Sequence, residues 1–503
     1  MTWAVWLACA AASPQAGAEW HSEATLRVGE TFTDNVDLAP DGLKRSDWVT
    51  EITPGLRIYG KGARTEADVW ASVQNQLHAD SQSGNDVNMQ LNARGKMEVW
   101  DKHVFVDAAA GMTQQSTSLF GAQNNNSYNT DTNRSNVRTG SISPYGIWHF
   151  GGEAVAQLRY RYEYSDSDNS ALSNQSTQSY DASVSNGSAW GRAGWGLSVN
   201  GQHNSGDTNT RSYDSDSYRG WLSYGVLHDL RLQVFGGQER NDYTSGDSIT
   251  TNNYGVGLDW TPTQRTQVSG DISHRFFGTG YHFKVSERWR LVALEFGGAR
   301  DVTNSSSVQD ASGVSLSPDF LALDSALRGA IPNASDRYTE VLRQLAARGI
   351  SPFDLIRLSQ LNNQYSLEKR FYGSLAARGS RNTVTFTLSR SDRRRLLETG
   401  FENMGGDLSF FEHTIEDNAN LSWSTRITPL ATVLASVNYS QAKGEGGGSG
   451  DETAQRRTTS GTLTLDRKLG PNSNGSLTYR YTRQTGSSPY TENAVAATLW
   501  HRF

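Results

Sequence analysis

Cysteine is almost missing from this chain. Cys9 is the only one among 503 residues, and it lies in an N-terminal segment expected to be removed, so the mature protein has no disulfide and no thiolate metal site. Long apolar runs are missing too. No stretch approaches the roughly 18 consecutive apolar residues of a membrane-crossing helix, and mean hydropathy is -0.60 with only 36% hydrophobic residues. No basic run occurs and the net charge is -6, which excludes the electrostatic footprint of a general nucleic-acid binder. Catalytic signatures are absent as well: there is no G-x-S-x-G elbow, no H-E-x-x-H helix and no phosphate-binding glycine loop. The histidines stand apart without metal-ligand spacing, so neither metal nor cofactor is expected. Asp- and Asn-rich loops such as Gly206 to Asp216 could hold calcium, but a solvated loop is the ordinary reading.

What the chain does have is aromatics, at 10% with 14 Trp and 20 Tyr. Few aliphatics with many aromatics suits a membrane barrel, which shows lipid only every second residue and keeps a polar lumen. Residues 1–18 read as a secretory signal, an apolar stretch ending in the small-residue pattern Ala16-Gly17-Ala18, although no Lys or Arg precedes the apolar part. At the other end, Val495, Ala497, Leu499, His501 and Phe503 form one face of a closing strand, against Ala494, Ala496, Thr498, Trp500 and Arg502. A last strand with a terminal aromatic is similar to the assembly signal of outer-membrane barrels. Phe503 and Leu499 are its candidate residues, and the assembly machinery and outer-membrane lipid are the partners it implies. His501 is out of place there, because that position more usually carries an aromatic or aliphatic residue.

Between these ends the sequence alternates with period two in segments of roughly ten to fourteen residues, the length of a tilted membrane strand. Val87, Met89, Leu91, Ala93, Met97 and Val99 oppose Asn88, Gln90, Asn92, Arg94, Lys96 and Glu98. Leu158, Tyr160, Tyr162 and Tyr164 oppose Arg159, Arg161 and Glu163, and Leu230, Leu232 and Val234 oppose Arg231 and Gln233. The polar members are the candidate pore lining: Asn88, Gln90, Arg94, Lys96, Glu98, Arg159, Arg161, Glu163 and Arg231. Charges of both signs leave ion preference unread.

A soluble sandwich also alternates, so the connections discriminate better. Tight turns (Gly60 to Ala63, Asp101-Lys102, Gly151-Gly152, Leu227-His228, Gly470 to Asn472) alternate with long polar loops (Phe120 to Asn136, Ser165 to Gln175, Asn204 to Tyr213, Arg393 to Asp407, Lys443 to Thr453). That rhythm predicts an all-β, antiparallel up-and-down transmembrane barrel over 19–503 with about 22 strands, in the range of roughly 20 to 24. An even count puts both chain ends on the periplasmic side. Trp48, Tyr59, Tyr145, Trp148, Trp190, Trp221, Trp260, Trp289, Trp423 and Trp500 fall near strand ends and are expected in aromatic girdles. Trp70, Phe105 and Phe235 are expected to face inward, where an aromatic ring can stack on a sugar.

Residues 304–362 break the pattern. Ser317-Pro318 caps a helix carrying Phe320, Leu323, Leu327 and Ile331. Tyr338, Val341, Leu342 and Leu345 follow on a second, and Ser351-Pro352 opens a third. This insertion sits in an extracellular-side loop, as a plug, a lid or an external cap.

Thr33-Asp34-Asn35 at the end of the first strand, Thr53-Pro54-Gly55-Leu56 within the second, and the insertion from Asp336-Arg337 to Gly349 resemble the outer-membrane barrels associated with the PEP-CTERM exosortase system and exopolysaccharide gene clusters. The resemblance spans nearly the whole mature chain through short motifs. It implies an outer-membrane location and a role in making or exporting an extracellular polysaccharide, with that polymer and other export proteins as partners. It transfers no catalytic or binding residue. The leading expectation is a non-enzymatic conduit or scaffold. A small-solute porin and an outer-membrane enzyme trimming lipid or glycan are the alternatives.

Overall fold

A computed structural model describes residues 19–80, 84–123, 128–130, 133–168, 174–206, 212–244, 247–303, 341, 365–396, 406–447 and 450–503. The segment expected to be helical lies outside these residues except for Val341, as does the expected signal segment. Residues 207–211 of the Asp-rich loop lie outside them too.

The strands are β1 (Glu19–Thr33), β2 (Asp47–Lys61), β3 (Thr65–His78), β4 (Asp86–Trp100), β5 (Val104–Ser116), β6 (Arg134–Phe150), β7 (Ala154–Ser167) and β8 (Gln175–Asn186). They continue as β9 (Ala193–Gly206), β10 (Tyr213–Gly225), β11 (Leu230–Asn241), β12 (Ile249–Thr263), β13 (Thr266–Arg275), β14 (Gly278–Arg288), β15 (Val292–Thr303) and β16 (Ser366–Arg378). The circuit ends with β17 (Asn382–Arg395), β18 (His413–Thr428), β19 (Ala431–Gly447), β20 (Gly450–Lys468), β21 (Ser473–Gly486) and β22 (Tyr490–Arg502). One short helix, α1 (Asp407–Phe410), precedes β18.

Each strand pairs antiparallel with the next, and β22 returns to β1, with Thr25 opposite Arg502 and Thr33 opposite Ala494. The sheet is therefore a closed 22-stranded barrel with no free edge, the form in which a strand protein satisfies every backbone group inside a bilayer. Glu19 and Phe503 both lie at the rim of short turns, the periplasmic rim.

On the opposite rim, three connections are shorter than the sequence suggests. Phe276 and Phe277 alone join β13 to β14, residues 448–449 join β19 to β20, and residues 487–489 join β21 to β22. The Gly/Glu-rich stretch Lys443 to Thr453 reads as a flexible loop, yet its residues continue the ladder, with Glu445 opposite Thr453. Cross-strand hydrogen bonding from neighbours already fixed in a barrel overrides the weak strand propensity of glycine.

Proline within a sheet ordinarily needs a bulge or an edge position. Pro54 needs neither. The pairing of β2 with β3 lapses between Ile52 opposite Asn75 and Gly55 opposite Ser72 without any change of register. The Asn75 side-chain amide donates to the Ile52 carbonyl at 3.1 Å and lies 3.5 Å from that of Val73, the residue across from Pro54. A side-chain donor thus stands in where the proline has no N–H.

The two faces of the wall differ as the alternation requires. Outward side chains include Ile52, Leu56, Met89, Val99, Leu158, Leu222, Val234, Val256, Val437, Leu463 and Leu499, all exposed. Outward rings gather at two heights. Trp20, Trp100, Trp148, Trp260 and Trp423 lie outward near the periplasmic rim, whereas Tyr164, Tyr218, Tyr254, Tyr439 and Tyr481 lie outward nearer the other. A polar-lumen barrel with a lipid-facing apolar belt and rings at both interfaces is an outer-membrane barrel.

Candidate functional site

The girdle expectation needs correcting at Tyr59, Tyr145, Trp221 and Trp500. Trp500 shares a face with Arg502 and Ala494, and Tyr145 is buried beneath Lys96 and Arg159. All four point into the lumen. Height near a strand end is readable from loop spacing, but face depends on parity with neighbouring strands. In each case the flanking outward row was the apolar one.

Together with Trp70, Phe105 and Phe235, these rings line the periplasmic half of the lumen. Phe105 stacks on Tyr145 with centroids 5.1 Å apart. Trp221 and Phe235 lie along the wall over glycines of adjacent strands: a Cβ on Gly196 would meet the Trp221 ring at 2.5 Å, and one on Gly255 would meet the Phe235 ring at 2.5 Å. The Arg219 guanidinium lies over the Phe235 ring, 4.8 Å from its centroid.

The charges of this half are largely matched across strands. Arg57 makes two bonds to Asp68, each 3.0 Å long, and Arg94 reaches the same carboxylate at 3.2 Å. Arg159 bonds Asp107 at 3.1 Å and the Ser143 hydroxyl at 3.0 Å, and its guanidinium lies 3.9 Å from the Tyr145 centroid. Lys96 sits 4.9 Å from the Phe105 centroid. Arg231 donates to the Ser223 hydroxyl at 3.0 Å. All the expected lining residues thus lie on the inward face, but not in one environment. Glu98 turns to the rim, accepting the Lys102 amide at 2.6 Å. Asn88 lies toward the long-loop end, where it is buried and accepts from Gln114 at 2.8 Å. Gln90 and Arg161 stand between these levels, and Glu163 is buried.

That burial marks a second feature that alternation could not reveal. At the periplasmic end Tyr145, Arg159, Ser223, Thr385, Ser422, Leu434 and Thr464 are buried, and inward residues at the long-loop end, among them Thr33, Val49, Gln76, Asn204, Tyr213, Glu239, Glu368, Arg456, Gln484 and Glu492, are buried too. Loops cover this mouth. The segment leaving β5 reaches far around the barrel: the Ser118 hydroxyl and the Leu119 amide donate to Asp407 of α1 at 2.7 and 2.5 Å. Phe120 packs on Phe411 and on Ala442 of β19. The Gln123 amide donates to Gln484 of β21 at 3.1 Å, and its carbonyl accepts from Tyr490 at 2.6 Å. Tyr128 closes on Val49 and Ala494. Elsewhere in the mouth Tyr213, Tyr243 and Tyr365 cluster, with Gln202 donating to the Tyr365 hydroxyl at 2.9 Å.

Thr33-Asp34-Asn35 works at the barrel seam. Thr33 donates to Glu492 of β22 at 2.9 Å. Asp34 accepts the Asn493 amide at 2.7 Å. Asn35, fully buried, donates to the Thr491 carbonyl at 2.9 Å and to that of Ala39 at 2.8 Å. Glu492 also takes the Asn129 amide at 3.0 Å, joining the seam to the covering loop. His501 finds its reason at the other end of β22. It faces outward, bonds the Ser473 hydroxyl at 2.8 Å and packs edge-on against Phe503 at 4.5 Å.

Burial pushes the Asp407 carboxyl up to about 6 from its ordinary 3.8, against the pull of the Ser118 and Leu119 donors. A carboxyl held above its usual range favours the docked loop while it is protonated. Its contribution is complete below the ordinary value and is lost as pH rises through about 6. The docked-to-undocked ratio should therefore fall about tenfold between pH 5 and 7.5, read as rising single-channel conductance of the purified barrel. Asp407→Asn should flatten that step; an unchanged step would assign it to another group.

No protein-family model matches the sequence, and no curated protein matches it. Solved structures overlap it at low identity. A ferric enterobactin receptor mutant from Pseudomonas aeruginosa aligns at 11% identity and TM-score 0.49 over 96% of this chain and 80% of its own. The siderophore receptor PirA from Acinetobacter baumannii aligns at 9% and 0.49 over 96% and 80%. The FrpB iron transporter from Neisseria meningitidis aligns at 9% and 0.48 over 96% and 81%.

Proposed function

We propose that this outer-membrane barrel is a conduit for an exported polysaccharide, working with other export proteins in the exosortase-linked setting that its short motifs resemble. The carrying observation is the periplasmic vestibule. Trp221 lies along the wall there, Phe235 carries the Arg219 guanidinium 4.8 Å from its centroid, and inward Ser, Thr, Asn and Gln and charges matched across strands stand beside them. Sugar rings have an apolar face that stacks on aromatics and hydroxyls that exchange hydrogen bonds with such a wall. Matched charges leave no strong local field to trap a polymer, and the covered mouth makes passage conditional on loop movement.

The test replaces the platforms and leaves the barrel alone. In cells, Trp221→Ala with Phe235→Ala should lower surface polysaccharide several-fold, while the heat-modifiable gel mobility of the barrel stays unchanged. Deleting the gene should abolish the export. Normal surface polysaccharide in the deletion strain would sink the conduit reading and leave the small-solute porin, which bilayer conductance with neutral solutes would then measure. Turnover of lipid or glycan by the purified protein would instead support an enzyme.

A further inference from the structure

The outer wall is electrically lopsided at the height of the long-loop rim. Over β6 to β10 the outward charges are mostly acidic or internally paired: Arg138 is held by Asp166 at 2.9 Å and by Asp168 at 2.7 Å, and Asp214 and Asp216 lie beyond. Over β17 to β21 the balance reverses. Lys443, Arg457 and Arg483 point outward on three successive strands and are exposed. None of the three makes a hydrogen bond or ion pair among the described residues.

Their registers bring them together. Arg457 lies opposite Gln441 and Thr485, Lys443 opposite Gln455, and Arg483 opposite Thr459. Lys443 and Arg483 are therefore both diagonal neighbours of Arg457, about 7 Å away along the sheet. Arg390 extends the row on β17, tied only loosely to Asp417 at 3.5 Å. Each cation stands beyond an outward tyrosine: Arg457 one row past Tyr439, and Arg483 one row past Tyr481. Below the tyrosines the surface turns aliphatic at Val437, Leu463 and Leu477, each more than half exposed.

We propose that this face of β19 to β21 binds a phosphorylated glycolipid of the outer leaflet. Its phosphates would lie on Lys443, Arg457 and Arg483, and its acyl chains along Val437, Leu463 and Leu477. Adjacent unpaired cations at headgroup height are costly unless an anion meets them, and phosphate is the anion that guanidinium groups match in geometry. The apolar strip directly beneath selects a lipid over a free anion.

The experiment uses the full barrel in neutral detergent and follows thermal unfolding by heat-modifiable gel mobility. Bisphosphorylated lipid A should raise the unfolding midpoint by several degrees, and added salt should weaken that rise. Dephosphorylated lipid A and inorganic phosphate should leave the midpoint unmoved. K443Q/R457Q/R483Q should lose the response, whereas R138Q on the opposite side should keep it. If the triple variant does not fold, R457Q alone should reduce the shift. An equal shift with dephosphorylated lipid, or a full shift in the variants, would overturn the proposal. An equal shift with inorganic phosphate would replace the lipid site by a free-anion site and overturn it too.

Discussion

Deleting residues 118–130 should raise the single-channel conductance of the purified barrel at least tenfold. A 22-stranded wall encloses a lumen wide enough to need a plug or to leave an aqueous passage. Here the segment leaving β5 packs across the long-loop end against α1, β19 and β21, which places it to resist flow through that mouth. The deleted segment supplies Leu119, Phe120 and Tyr128, all buried. Each buried apolar side chain contributes about 2 kcal/mol to the docked arrangement, enough together to keep the mouth covered most of the time. The strands themselves should survive. Ser116 and Arg134 face each other at the ends of β5 and β6, and the four remaining residues suffice for a hairpin connection.

A second variant keeps the loop at full length. A Cβ on Gly444 would lie 2.7 Å from the Phe411 ring and 2.9 Å from that of Phe120, so Gly444→Leu should displace Phe120 and raise conductance by a smaller factor. If both variants conduct like the parent protein, the block lies elsewhere in the mouth, and the tyrosine cluster around Tyr365 is the next place to cut.

The barrel was legible in the sequence because its physics is local. Lipid on one side and water on the other force alternation at Val87 to Trp100 and at Leu158 to Tyr164, and the strand count follows from where that alternation stops. The inward platform was half legible. Trp70, Phe105 and Phe235 interrupt the polar rows and so announce themselves, whereas Trp500 and Tyr145 were read by height alone. The cover was not legible. Ser118, Gln123 and Asn129 sit in an Asn/Ser-rich loop whose composition suggests solvent, and their partners Asp407, Gln484 and Glu492 are more than 280 positions away. Only closure of the barrel brings those strands to one rim. The same holds for Thr33-Asp34-Asn35, whose clasp on the last strand no local pattern announces.

Removing residues 492–503 should abolish the folded barrel, leaving no heat-modifiable species and a chain open to proteolysis. These residues carry most of β22, which pairs with β1 from Thr25 opposite Arg502 to Thr33 opposite Ala494 and with β21 from Ser473 opposite His501 to Gln484 opposite Tyr490. Without them β1 and β21 would present open edges in the hydrocarbon, and each unpaired backbone group there costs several kcal/mol. Two smaller changes separate the roles combined in this strand. Glu492→Ala leaves Thr33, Asn129 and the partly buried Arg480 without their shared carboxylate, the kind of loss that costs about 3–5 kcal/mol. It should lower the unfolding temperature while assembly proceeds. Deleting Phe503 removes one exposed ring and the amide that donates to the Ala24 carbonyl at 2.9 Å, contacts too few to unfold the wall. It should leave the unfolding temperature of the purified barrel nearly unchanged and cut its yield in the outer membrane several-fold, as expected of a residue proposed to be read during assembly. Equal yields with and without Phe503 would reduce the closing strand to a purely structural seam, held by Glu492 at one end and by the His501–Ser473 contact at the other.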